Sequence, residues 1–208
     1  MIDAVIFDLG NVLAFHDNAK LFRELAALWG TTPDAMRARL EGSGIWERAN
    51  KGHLKGDSLR LALAERLGGP APTPAQFVAA WSCHFTLNPP MIRHVERLAG
   101  KVRLVLLSNT HDLHVASLRP LIPVLEKFDA LVLSCEVGHM KPEPQIYALA
   151  IEAAATAPER AVFFDDVEAY VEGARRAGLH AHVFKDAADV PAQLAALGLR
   201  LLLDGAAR

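Results

Sequence analysis

Apolar residues are spaced in two different ways along the chain, and the points where the spacing changes divide it into three stretches. Residues 4–7, Ala-Val-Ile-Phe, are apolar without interruption and run into Asp8, Leu9 and Gly10. A run of this length without alternation predicts a central strand of a parallel sheet, covered on both faces. After Leu13 the spacing becomes helical and stays so to about residue 100, with no strand expected. Leu21, Leu25 and Leu28 share a helix face that Gly30 terminates, and Thr32-Pro33-Asp34 opens a second helix. Asp57 or Ser58 caps a helix carrying Leu59, Leu61, Leu63 and Leu67, while Thr73 with Gln76 forms a capping box ahead of Phe77, Val78 and Trp81.

From Pro90 onward strands and helices alternate. A helix through Ile92, Val95 and Leu98 precedes an apolar run at 102–107; runs at 130–134, 161–164 and 181–184 follow, separated by helices at 143–153 and 166–177 and closed by one at 191–197. Pro120 and Pro123 break the segment between 111 and 125. Strands alternating with helices imply right-handed crossovers. The expected fold class is therefore α/β: a Rossmann-like parallel sheet with helices on both faces and an α-helical insertion after the first strand. The expected boundaries are 1–14 and 90–208 for the core and 15–89 for the insertion. Leu201-Leu202-Leu203 reads as an extra strand or a packing segment.

Composition narrows the function classes. With 208 residues, 51% of them hydrophobic, the chain suits one α/β domain with a small insertion. A net charge of −2 without a Lys/Arg stripe gives no footprint for nucleic acid. Cys83 and Cys135 alone argue against a disulfide scaffold and make the cytoplasm the default location. No apolar stretch approaches the ~20 residues of a membrane span, so no membrane partner is expected.

Chemistry-bearing residues sit where the predicted strands end. Asp8 closes the first run, Ser108-Asn109-Thr110 the second, Lys141-Pro142 follows the third by a loop, and Asp165-Asp166 closes the fourth. Open parallel sheets bind ligands beyond the carboxyl ends of their strands. Each group also has an ordinary structural reading: Asp8 as a turn residue, Ser108 as a strand cap, Lys141 as a surface lysine, Asp165-Asp166 as a helix N-cap pair. Four such endings in order favour a shared site.

These endings resemble the four motifs of the haloacid dehalogenase-like (HAD) hydrolase superfamily, over nearly the whole chain. The phosphatase subgroup, which includes α-D-glucose-1-phosphate phosphatases, is similar through Phe7-Asp8-Leu9-Gly10-Asn11-Val12, Ser108-Asn109-Thr110, Lys141-Pro142-Glu143 and Phe163-Phe164-Asp165-Asp166. The resemblance implies that the insertion is a cap over the site. It also implies a magnesium-dependent hydrolysis of a small phosphorylated metabolite, a sugar phosphate as the expected class, through an aspartyl-phosphate on Asp8. Catalysis would rest on Asp8, Ser108 and Lys141; phosphate would be held by Ser108, Asn109 and Lys141; Mg²⁺ would be bound by Asp8, the Gly10 carbonyl, Asp166 and Asp165. Covalent catalysis splits a difficult ester hydrolysis into two easier steps, and a hard cation with oxygen ligands offsets the repulsion between anions.

Two residues depart from the superfamily pattern. Gly10 stands where most of these phosphatases carry a second aspartate that moves the proton of the leaving group, which leaves His16 and Asp17 as candidate acids. Tyr170 stands where a related pattern has asparagine. These departures motivate a rival reading, a catalytically weak binding or regulatory protein on the same scaffold; a haloacid dehalogenase is a further rival, disfavoured by the Asp165-Asp166 cation site. His111 and His114 are expected at the site rim or partly buried. Trp29, Trp46 and Trp81 are expected in the core of the insertion, with Trp46 as a candidate for stacking on a sugar. Monomer and homodimer remain open.

Overall fold

A computed structural model describes residues 2–199. The Leu201-Leu202-Leu203 segment lies outside the described residues. In chain order, β1 (Ala4–Phe7) leads through a tight turn to β2 (Ala14–His16) and then to helices α1 (Asn18–Leu28), α2 (Pro33–Glu41), α3 (Ile45–Asn50), α4 (Asp57–Leu67) and α5 (Pro74–Ser82). β3 (Phe85–Leu87) follows, then α6 (Pro89–Leu98), β4 (Arg103–Ser108), α7 (Asp112–Leu118), a 3₁₀ turn at Pro123–Lys127 and β5 (Ala130–Leu133). The short α8 (Ser134–Val137), α9 (Pro144–Ala154), β6 (Ala161–Asp165), α10 (Glu168–Arg176), β7 (His180–Val183) and α11 (Val190–Ala196) complete the described chain.

Five strands form a parallel sheet in the order β5-β4-β1-β6-β7. The order reverses at β1, which places the carboxyl ends of β4, β1 and β6 side by side. β1 is apolar at every position because its alternate side chains enter two different cores. Val5 and Phe7 join the layer containing Val95, Leu98 and Leu194 from α6 and α11. Ala4 and Ile6 join the layer containing Ile146, Tyr147 and Val171 from α9 and α10.

The insertion has a core of its own, in which Leu21, Leu25, Met36, Leu59, Phe77 and Trp81 are buried. The expected N-termini are present: Thr32 accepts from Ala35 N–H, and the Thr73–Gln76 capping box closes in both directions. Three expectations need correction. The insertion is bounded by strands, since β2 and β3 pair antiparallel from Ala14↔Leu87 to His16↔Phe85; three-residue strands are too short to show a period. α3 lacked a sequence signal because it opens at Gly44 in the left-handed region with no side-chain cap. Neither Asp57 nor Ser58 caps α4: Gly56 occupies that position, Asp57 pairs with Arg60 at 2.6 Å, and Ser58 Oγ donates back to Lys55 O. No described helix is long and apolar enough to cross a membrane.

α10 approaches α9 so closely that one position admits only glycine. A Cβ at Gly173 would lie 2.5 Å from the Tyr147 hydroxyl oxygen and 2.7 Å from two ring carbons. Tyr147 is fully buried, and its hydroxyl donates to Tyr170 O at 2.8 Å, so the ring has little room to retreat. Gly173→Ala is expected to lower stability by about 1–3 kcal/mol, as overpacking does elsewhere, measured by the shift of the denaturant midpoint; an unchanged midpoint would contradict this close approach.

Candidate active site

Asp8 follows β1 directly, Ser108 ends β4, Asp165 ends β6, and Asp166 comes next. Because β1 lies between β4 and β6, these residues meet at one edge of the sheet. Lys141 reaches them from the loop before α9 and is only 1% exposed. Its ammonium has three protons and meets three oxygens: Asp8 Oδ1 at 2.8 Å, Asp165 Oδ2 at 2.5 Å and the carbonyl of Leu107 at 3.1 Å. A buried ammonium is tolerated only when paired and hydrogen-bonded in this way. Burial alone would lower the Lys141 pKa, but Asp8 and Asp165 outweigh it and raise it. Burial pushes the Asp8 carboxyl up to about 7 against the pull of Lys141.

Asn109 does something the sequence did not suggest. Its Nδ2 donates to Lys141 O at 2.9 Å, and its Oδ1 accepts from Lys141 N–H at 2.7 Å. The amide expected to donate to phosphate instead clamps the main chain of Lys141. Tyr170, the apparent departure from pattern, places its ring 5.1 Å from Lys141 Nζ, with Phe163 at 5.4 Å, distances suited to cation–π attraction.

The turn after β1 prepares a cation site. Asp8, Asp165 and Asp166 each offer a carboxylate oxygen within 4.8 Å of the others. In the turn, Asn11 N–H donates to Ala14 O while Leu13 and Ala14 N–H donate to Leu9 O, so the Gly10 carbonyl takes no part in these bonds. These are hard oxygen donors of the kind magnesium prefers. Asn11 holds a left-handed φ of 54° and donates from Nδ2 to Asp166 Oδ2 at 2.8 Å.

Of the two candidate acids beyond Gly10, only one faces the site. Asp17 caps α1 by accepting from Lys20 N–H at 2.9 Å. The ring of His16 lies within 3.1 Å of Asn11 Nδ2, and its main-chain N–H donates to Asn11 Oδ1. A Cβ at Gly10 would lie 3.4 Å from His16 Cδ2, 3.6 Å from Nε2 and 3.7 Å from Asp8 Oδ2. The imidazole therefore lies in ordinary contact with the place a Cβ at position 10 would take.

A cleft of about 370 Å³ opens above these groups, with Trp46, Asn50, His84 and Phe85 of the insertion on its far side. His111 and His114 are buried more deeply than expected, packed beside Trp81: Trp81 Nε1 donates to His111 Nε2 at 2.8 Å, and His114 Nε2 lies 3.1 Å from Trp81 O. Burial lowers the pKa of His111 to about 3 and drives that of His114 well below its ordinary value, so both rings are neutral at physiological pH.

Residues 2–178 match the family described as haloacid dehalogenase-like hydrolase. The chain is a haloacid dehalogenase-like hydrolase. Its relatives include phosphatases. This hydrolase is 26% identical over 198 residues to D-ribitol-5-phosphate phosphatase of Bacteroides thetaiotaomicron, covering 91% of this chain and 95% of that one. Its fold superposes on a HAD family enzyme from Bacteroides thetaiotaomicron in magnesium complex with a TM-score of 0.79, at 25% identity, over 88% of this chain and 93% of the other. A HAD-like hydrolase from Porphyromonas gingivalis gives a TM-score of 0.82 at 25% identity, over 95% and 98% of the two chains.

The triad of Lys141 with Asp8 and Asp165 makes the hydrolase vulnerable at one atom. Lys141→Met leaves two neighbouring buried carboxylates without their shared cation, and removing one partner of a buried pair typically costs about 3–5 kcal/mol. A loss of that size is expected in chemical denaturation without metal; a loss below about 1 kcal/mol would mean that the triad contributes little, as exposed pairs do.

Proposed function

We propose that this hydrolase is a magnesium-dependent phosphomonoesterase for a small phosphorylated metabolite, with sugar and polyol phosphates as the substrate class. The observation that carries the reading is the meeting of Asp8, Asp165 and Asp166 at two adjacent strand ends with Lys141 from the loop before α9. The ribitol phosphate activity named for the Bacteroides relative supports a polyol phosphate. The motif likeness to α-D-glucose-1-phosphate phosphatases supports a sugar phosphate. Residues 15–89 act as the cap that covers the cleft.

Asp8 is the nucleophile: its free carboxylate oxygen attacks phosphorus while the ester bond to the leaving alcohol breaks, giving an aspartyl-phosphate. Lys141 neutralises Asp8 and the phosphoryl oxygens in turn, exchanging a carboxylate contact for a phosphoryl one as charge moves. Ser108, buried at the end of β4 and lining the cleft, donates its hydroxyl to the same oxygens. Asn109 keeps Lys141 in place and acts on phosphate only through it. Asp8, the Gly10 carbonyl and Asp166, with Asp165 beside them, would hold magnesium, which when bound screens the repulsion between the carboxylate and the phosphoryl group. His16 takes the part of the missing aspartate: it protonates the departing alkoxide, then accepts a proton from the water that hydrolyses the aspartyl-phosphate.

Phosphate release from a panel of sugar, polyol and aryl phosphates is expected to require magnesium, to stop in chelator, and to be abolished in Asp8→Asn. Turnover that survives Asp8→Asn would rule out the covalent route. His16→Ala is expected to lower kcat on alkyl phosphates by about 10²–10⁴, the usual range for lost general acid–base help, and to affect an activated aryl phosphate much less. Equal losses on both would show that His16 moves no proton to the leaving group.

A further inference from the structure

α3 turns one face toward the cleft, presenting Trp46 and, one helical turn later, Asn50. Trp46 is held against Trp81, with ring centroids 5.5 Å apart. Asn50 is 5% exposed, and the cleft is what it borders; among the described residues its side-chain amide makes no hydrogen bond. Its amide keeps contact with the open cleft, so both ends are available to a ligand there. His84, also on the cleft, has a buried polar atom without a partner, Nδ1.

Charge around the cleft is distributed unevenly. Its carboxylates Asp8 and Asp166 lie at the strand ends with Lys141 reaching in from the loop before α9, whereas the insertion contributes His16, Asn18, Trp46, Asn50, His84 and Phe85. Burial holds the His84 pKa at about 4, which leaves that ring neutral. Away from His16, which sits beside Asn11 at the floor, the roof thus offers hydrogen bonds and an aromatic face but no charged side chain. It suits a leaving group that is uncharged and rich in hydroxyls, and it lacks the cation that a second phosphate or a carboxylate would call for.

We propose that Asn50 is the residue that selects the leaving group, reading a vicinal diol with both ends of its amide. Nδ2 donates to one hydroxyl oxygen, Oδ1 accepts from its neighbour, and the Trp46 ring covers the intervening carbons. The substrate is then a phosphomonoester of a polyhydroxylated alcohol. This inference rests on the phosphatase reading of the same cleft.

The test compares kcat/KM for a pentitol 5-phosphate and for pentyl phosphate, which has the same chain without hydroxyls, in wild type and in Asn50→Ala, with magnesium-dependent turnover of para-nitrophenyl phosphate checking the phosphatase reading. Wild type should prefer the pentitol ester, and Asn50→Ala should reduce that preference about 10- to 100-fold, the worth of one or two hydrogen bonds in a buried site. Should Asn50→Ala not fold, Asn50→Asp keeps the shape and removes the donor, and a reduced preference there supports the assignment equally. Turnover of the aryl phosphate without a wild-type preference for the pentitol ester, or with the same preference in the folded Asn50 variant, overturns the role of Asn50 while the phosphatase reading stands. No turnover of the aryl phosphate overturns the phosphatase reading itself.

Discussion

One buried ammonium holds the floor of this site together. Adjacent strands of a parallel sheet bring Asp8 and Asp165 to neighbouring ends, where two carboxylates in a poorly solvated place repel one another. Lys141 resolves the conflict by contacting both, and its third proton goes to a main-chain carbonyl of β4, the strand on the other side of β1. Everything around it serves that placement. Asn109 fixes the lysine's main chain from the end of β4, and Tyr170 and Phe163 close over the charge with aromatic rings instead of water. A glycine at 173 lets α10 sit close enough to α9 for Tyr147 to bond to the carbonyl of Tyr170, which fixes the segment carrying one of those rings.

The floor and the roof of the cleft divide the chemistry. The floor carries the ionised groups, rigidly positioned by strand ends that cannot move without disturbing the sheet. The roof carries neutral polar and aromatic groups on an insertion with a separate core, joined through a three-residue antiparallel ribbon. Burial keeps the histidines next to that roof uncharged. A strongly electrostatic floor is thereby paired with a roof whose side chains are mainly neutral and aromatic.

How much of this was legible in the sequence follows from the range of the interactions. β1 was readable because burial on both faces demands an unbroken apolar run, and the order of the four strand ends was readable because each bears a charged or hydroxyl residue at the point where the run stops. The helix starts at Thr32 and Thr73 were readable because capping is local. The ribbon of β2 and β3 was not, since three residues carry no period and their pairing spans about seventy positions of chain. α3 was not, since glycines at its entrance leave no cap to recognise. The clamp of Asn109 on Lys141 and the bond of Asn11 to Asp166 depend on groups far apart in sequence, so no local signal announced them.

Gly10 and His16 illustrate the same limit most sharply. Read alone, Gly10 is a missing acid, and His16 is a histidine in a short polar stretch. In the structure the two share one volume: the imidazole lies against the position a Cβ would occupy at residue 10, and Asn11 holds it there through both its ring and its main chain. A Cβ at residue 10 would meet that ring at ordinary contact distance, so a longer side chain growing in that direction would compete with the imidazole for space. The same Asn11 that contacts the ring also binds Asp166. The imidazole of His16 and the carboxylate of Asp166 thus share one partner side chain, so a shift in either is felt by the other.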